Sequence, residues 1–204
     1  MFQDLPAAAI TRFHEDAHAR AGWPQAGGEH ADKPVDNPWH WIETNHRFNS
    51  LLWAEEDLAR RKDVPESAIA ANKRAIDGFN QKRNDAVEKI DEALLSRLAA
   101  VQPAANARLH SETAGSMTDR LSIMSLKIKA MREQTLRTDV DAAHIESCQV
   151  KLAKLLEQRG DLASCLDTLL TEAAAGKAYY KIYRQFKMYN DPRLNPQLYK
   201  AGAY

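Results

Sequence analysis

Apolar residues along this 204-residue chain recur three or four positions apart and almost never alternate, a spacing that predicts helices nearly throughout. The first expected helix runs from about Leu5 to Arg20. The stretch AGWPQAGGEHADKPVDNP after it carries three of the eight prolines and reads as a loop. A second helix opens with Asn37 as cap and Pro38 as its first residue, and continues to about Lys62. The third, from Pro65 to about Val101 with Asp63 as cap, carries Ile69, Ile76, Phe79, Val87, Ile90, Leu94 and Leu98 along one stripe, and Pro103 ends it. The fourth restarts near Ser116 with Met117, Leu121, Met124, Ile128 and Met131 in line. The fifth spans about Asp141 to Gly176, with Gly160 as a weak point. Helical spacing then persists at Tyr179, Ile182, Tyr183, Phe186 and Tyr189, until NDPRLNP stops it. The expected fold is all-α: an antiparallel bundle of five to six helices with an irregular C-terminal strap. It is read as one domain, with residues 1–37 as an N-terminal helix and loop, 38–189 as the core bundle and 190–204 as the tail.

The stripes are interrupted in the middle of three helices. On the second, His46, Asn49, Trp53, Glu56 or Asp57, and Arg60 fall three or four apart, beside the core residues Trp41, Phe48, Leu51 and Leu52. On the third, FNQKRND puts Asn80 and Arg83, with Asn84 next to them, where the period asks for leucine. On the fourth, TDRLSIMSLK is apolar on more than one face, which draws Asp119, Arg120 and Lys127 towards packed surfaces. Buried charge is tolerated only when paired and hydrogen-bonded, so three such breaks predict one shared polar layer. It reads either as a structural network, with Glu56 or Asp57 against Arg83 and Asp119 against Arg60, or as a ligand pocket with Trp53 as its wall. Arginine and asparagine without a nucleophile suit an anionic or hydroxyl-rich ligand such as a sugar phosphate. No catalytic residue is assigned.

Charge narrows the partners. Lys+Arg and Asp+Glu are 28 each, so the chain has no global basic field for nucleic acid. No apolar run approaches the ~18 residues of a spanning helix, and no secretory signal is read at the start. Cys148 and Cys165 share the fifth helix, roughly 26 Å apart at ~1.5 Å per residue, beyond disulfide reach. Free thiols suit a reducing cytoplasm.

Two further patterns bear on chemistry. HEDAH at 14–18 matches the zinc-protease H-E-x-x-H pattern, but its setting suits an exposed helix with two ordinary histidines. Glu15-x-x-His18 and Glu43-x-x-His46 also resemble the paired ligand motifs of dimetal bundles, which makes a metal-dependent enzyme the third reading. The further carboxylates such a site needs are not visible in any apolar stripe, so no metal or other cofactor is expected. In the last expected helix Lys177, Lys181, Arg184 and Lys187 flank the Tyr/Phe stripe, giving a basic amphipathic helix that could engage a partner or a membrane.

HRFNSLLWAEEDLARR, IDGFNQKRNDAVEKID, ETAGSMTDRLSIMSLKIKAM and YRQFKMYNDPRLNP, in that order, resemble a bacterial family known as domain of unknown function 4254. The resemblance implies an all-helical protein associated with surface-polysaccharide and glycosyl-transfer genes. It brings no reaction, cofactor or catalytic residue. Its pattern falls on His46, Asn49, Trp53, Glu56, Asp57, Asn80, Arg83, Asn84, Asp85, Asp119, Arg120, Lys127 and Asn190, and HEDAH lies outside it. The combined expectation is a small polar or anionic ligand, of sugar-phosphate or nucleotide-sugar type, handled in envelope glycan assembly. The alternative is a non-catalytic interaction protein that uses its C-terminal helix.

Overall fold

A computed structural model describes residues 2–186, 188 and 191–200. The described chain is mostly helical: α1 (Ala7–Ala17), α2 (Pro38–Leu58), α3 (Glu66–Arg97), α4 (Ala114–Thr135), α5 (Ala142–Ala174) and the single turn α6 (Pro196–Tyr199). Two short strands, β1 (Arg108–Leu109) and β2 (Ala178–Tyr179), pair in parallel. None of the helices is long and apolar enough to cross a membrane.

Local chemistry accounts for the helix starts. Asn37 accepts the Trp39 N–H at 3.0 Å and Pro38 occupies the first turn of α2, where its missing N–H costs nothing. Thr113 caps α4 by accepting from the Ser116 N–H, and Asp141 caps α5 by accepting from His144. α3 differs from expectation. Pro65 takes the flanking extended position with no side-chain cap, leaving Asp63 too far upstream to reach the first turn. Gly160 does not interrupt α5, since a side chain there would meet open space and the helix runs through it.

The helices α2 and α3 form one hairpin and α4 and α5 another, and α1 lies across the second. α4 touches α1, α2, α3 and α5. That central place explains why its sequence is apolar on more than one face, with Met117, Leu121, Leu126 and Ile128 all buried. The core cluster joins these residues to Ile10, Phe13, Ile42, Ile90, Leu94 and Leu166.

The C-terminal segment departs from the expected basic amphipathic helix. Gly176 adopts φ 69° and closes α5: its N–H reaches the Ala173 carbonyl at 3.0 Å and the Lys177 N–H reaches Glu172 at 2.8 Å. The chain then runs without regular secondary structure from Lys181 to Phe186. The carbonyls of Gly176, Lys177 and Tyr179 accept from Ala104, Arg108 and His110, so the α3–α4 connection supplies the partners that a helix would have supplied internally. Side-chain spacing alone is outweighed here by a left-handed glycine and a waiting strand. Lys187, Tyr189 and Asn190 lie outside the described residues.

Candidate functional site

Between α2 and α4 the apolar core gives way to a buried polar layer. Asn45, His46 and Asn49 on α2 face Thr118, Asp119, Ser122 and Ser125 on α4, and all but Asp119 are buried. His46 lies 3.1 Å through Nε2 from the carbonyl of His14, which can only accept, so Nε2 carries the proton. Burial, with His14 and His18 close by, holds the ring well below the usual imidazole range and therefore neutral. Its Nδ1 is then an acceptor, taking the Ser122 hydroxyl proton at 2.8 Å. Ser122 Oγ accepts in turn from Asn49 Nδ2 at 3.0 Å. Asn49 and Asn45 also donate to Asp119 Oδ1, at 2.9 and 2.8 Å. The protons on His46 Nε2 and the Ser122 hydroxyl thus have one direction each, while Asn49 Nδ2 also lies 3.2 Å from Asn45 Oδ1.

The N-terminal helix belongs to this layer, contrary to its expected exposure. Ile10, Phe13, His14 and Ala17 form its buried face, and the His14 ring lies 4.4 Å from that of His46. Both His14 ring nitrogens are buried without a partner among the described residues. Burial first, then the charges of His18 and Arg159, pull its pKa down to about 3. His18 Nε2 meets Ser125 Oγ at 2.9 Å, and burial lowers it to about 4. The loop after α1 folds back over the same region. Trp23 stacks on His46 at 5.3 Å, and its indole N–H donates to Ser50. The carboxylate of Glu43 accepts from the Gly28 and His30 backbone amides. A side chain on Gly28 would collide with Arg20 and Glu43, which explains the glycine.

These contacts remove support from the metal reading. Glu15 is ion-paired to Arg159 at 2.7 Å and Arg132 at 3.3 Å, and Glu43 is taken by loop amides. Neither carboxylate turns towards the histidines, and among the described residues no group of three potential ligands is placed to hold an ion.

Next to the closed layer lies an open one. A cleft of about 640 Å³ runs between α2, α3 and α4. From α2 it is lined by Asn49, Trp53, Glu56, Asp57 and Arg60, and from α3 by Asn80 and Arg83. Ile76, Ile123 and Leu126 supply apolar wall. The expected ion pairs are exchanged. Arg60 donates to Glu56 on its own helix at 2.8 Å, not to Asp119, because a partner four residues back is reached without crossing the cleft. Arg83 instead approaches Asp119 across α3 and α4, Nε to Oδ1 at 4.0 Å, and donates to its neighbour Asn84 at 2.9 Å. Its Nε is buried and makes no hydrogen bond. The side chains of Trp53, Asp57 and Asn80 hydrogen-bond to no described residue.

The other expected site residues are placed elsewhere. His46 is sealed in the buried layer and Asp119 stands behind the cleft, holding Arg83 and both asparagines. Asn84 donates to Gln185 of the C-terminal strap at 2.9 Å. Arg120 pairs with Glu112 at 2.6 Å, and with Lys127 it lines a separate cavity between α4 and α5. Sequence reasoning missed Asn45, Ser122 and Ser125. Small hydroxyls three apart in LSIMSLK, on a helix apolar on more than one face, are the available signal.

A second buried polar centre sits at the start of α4. Asp91 accepts the Gly115 N–H at 2.7 Å, and burial pushes its carboxyl up to about 6 against the pull of Thr113 and Gly115. A side chain on Gly115 would strike the Val87 carbonyl and Asp91, so glycine is required for the close approach of α3 and α4.

A family model described as "Protein of unknown function (DUF4254)" matches residues 39–182. Nothing among curated proteins or solved structures matches. The match covers well over half of the chain, and the protein belongs to this family. The cleft and the buried layer's α2 and α4 residues fall inside the match, whereas His14, His18 and Trp23 fall outside it.

Proposed function

We propose that this member of the family binds a small hydroxyl-rich, anionic ligand, of sugar-phosphate or nucleotide-sugar type, in the cleft between α2, α3 and α4. The observation that carries the reading is a wall of the cleft on which the side chains of Asp57 and Asn80 hydrogen-bond to no described residue, beside the Trp53 indole and the Arg83 guanidinium, whose Nε meets only Asp119 at 4.0 Å. A carboxylate and an amide offer acceptors and donors to hydroxyls, and the indole offers an apolar wall to a sugar ring. A guanidinium held in place by Asn84 and Asp119 suits a phosphate. The ligand's role would lie in envelope glycan assembly, the setting that the family resemblance implies. Two free cysteines suit a cytoplasmic place for it.

Thermal unfolding in the presence of sugar phosphates and nucleotide-sugars tests the proposal. A ligand at about 100 to 1,000 times its Kd adds roughly 3 to 4 kcal/mol of apparent stability. Arg83→Ala should abolish that gain. A flat response across the panel, or a response that Arg83→Ala leaves intact, sinks the reading. One observation favours a second, a non-catalytic interaction protein: Phe186 is 88 % exposed and Tyr183 55 % exposed on the irregular strap, which would then be the contact surface in place of the expected helix.

A further inference from the structure

Trp53 lines two cavities. Beyond the polar cleft, a slot of about 480 Å³ opens between α4 and α5, walled by the Trp53 indole, Ala130, Met131 and Leu155. Its remaining lining comes from the long side chains of Lys127, Lys151, Lys154, Gln134 and Gln158, whose methylene stems can add to the apolar wall. Lys154 is neutralised by Glu157 at 2.8 Å. Lys127 and Lys151 form no ion pair with any described residue. A carbon-walled slot thus adjoins a polar cleft through one tryptophan, with two uncommitted cations in its lining.

We infer that the ligand of the polar cleft is an amphiphile, whose hydroxyl-rich anionic head lies in that cleft and whose aliphatic chain passes Trp53 into the α4/α5 slot. The inference rests on the proposed ligand reading and extends it from head group to whole molecule. Three features favour this occupant. The slot is lined mainly by carbon, from Trp53, Ala130, Met131 and Leu155, and burying an aliphatic chain there removes apolar surface from water on both partners. Lys127 and Lys151 supply the positive charge that an anionic linkage between head and chain would need. The continuity at Trp53 lets one molecule use both cavities, which a ligand confined to either one would not.

Two esters that share a head separate the contributions: glucosyl methyl phosphate and glucosyl decyl phosphate, each titrated calorimetrically below any micelle concentration. The decyl ester should bind at least about tenfold more tightly than the methyl ester. Ala130→Trp, which fills the slot, should reduce that ratio to near one while leaving methyl-ester affinity unchanged. Lys127→Glu and Lys151→Glu, both in the lining of the slot, should each weaken the decyl ester several-fold and guard against a misfolded slot variant. Equal affinity of the two esters for the wild-type protein overturns the slot and leaves the polar cleft standing. Absence of binding by both overturns the head-group reading and this inference with it. A dimer in light scattering that Ala130→Trp dissociates, with no gain from the chain, would assign the slot to a second copy of the protein and overturn the inference.

Discussion

The closed polar layer and the open cleft use similar residue types, share Asn49, and differ in whether their polar groups have partners. In the layer, the path from Asn49 through Ser122 and His46 to the His14 carbonyl consumes each donor and acceptor in sequence. In the cleft, Asp57 on α2 and Asn80 on α3 hydrogen-bond to no described residue, although α2 is a wall of both regions. A saturated network holds helices in register, whereas an unsaturated one offers free energy to a ligand. Polar character within an apolar stripe therefore does not identify a site by itself. What separates the two is whether the unspent groups line an open cleft, as Asp57 and Asn80 do, or are sealed in the core, as the His14 ring nitrogens are.

Acidification should strain this contrast most. His14 and His46 have depressed pKa values in the folded protein, so their contribution to stability is present above the unfolded value near 6.5 and is lost as pH falls below it. By pH 5 His14 should cost about 2 kcal/mol, since the unfolded chain takes up a proton that the buried ring refuses, and His46 and His18, also depressed, add losses of the same sign. Asp91 opposes them: its raised pKa favours the folded state as pH drops through about 6, returning about 1.4 kcal/mol by pH 5. The histidine losses together exceed the Asp91 gain, so stability should fall from pH 8 to pH 5, measurable by denaturant unfolding across that range. A flat profile would mean that the histidine layer is open to water and would erase the distinction.

Ser122→Ala comes next. It strands the Nδ1 acceptor of His46 in a dry environment and should cost about 2 kcal/mol, read as a lower denaturation midpoint. The smallest stability effects belong to the cleft, where Asp57→Ala and Asn80→Ala break no contact and should stay within about 0.5 kcal/mol of the parent. Those same variants should weaken sugar-phosphate binding, whereas Ser122→Ala, measured well below its unfolding transition, should retain it. A large destabilisation from Asn80→Ala would place that residue in the closed layer after all.

Much of the architecture was legible before any coordinates, because helix starts and stripes are local. Asn37 and Pro38 announce α2, and Asn80 and Arg83 break the α3 stripe where the cleft lies. Partner choice was not legible. Whether Arg60 meets Glu56 or Asp119 depends on how the helices rotate against each other, and one turn of a single helix offers a nearer carboxylate than the facing helix does. The fate of α1 is half visible: Ile10, Phe13, His14 and Ala17 are spaced as one face, yet the polar Asp16 inside HEDAH points the reading towards exposure. The strap was misread because the spacing of Tyr179, Ile182, Tyr183 and Phe186 carries no information about Gly176 or about the β1 backbone waiting to pair.

Trp53 carries one more consequence. The chain has four tryptophans, and the indole N–H groups of Trp23, Trp39 and Trp41 are tied to Ser50, to the Asp4 carbonyl and to the Val35 carbonyl. Trp53 has no such tether and stands between the two cavities. Its emission is therefore the one free to respond when either side changes from water to ligand, and with the other three as a steady background the molecule contains its own optical gauge of occupancy.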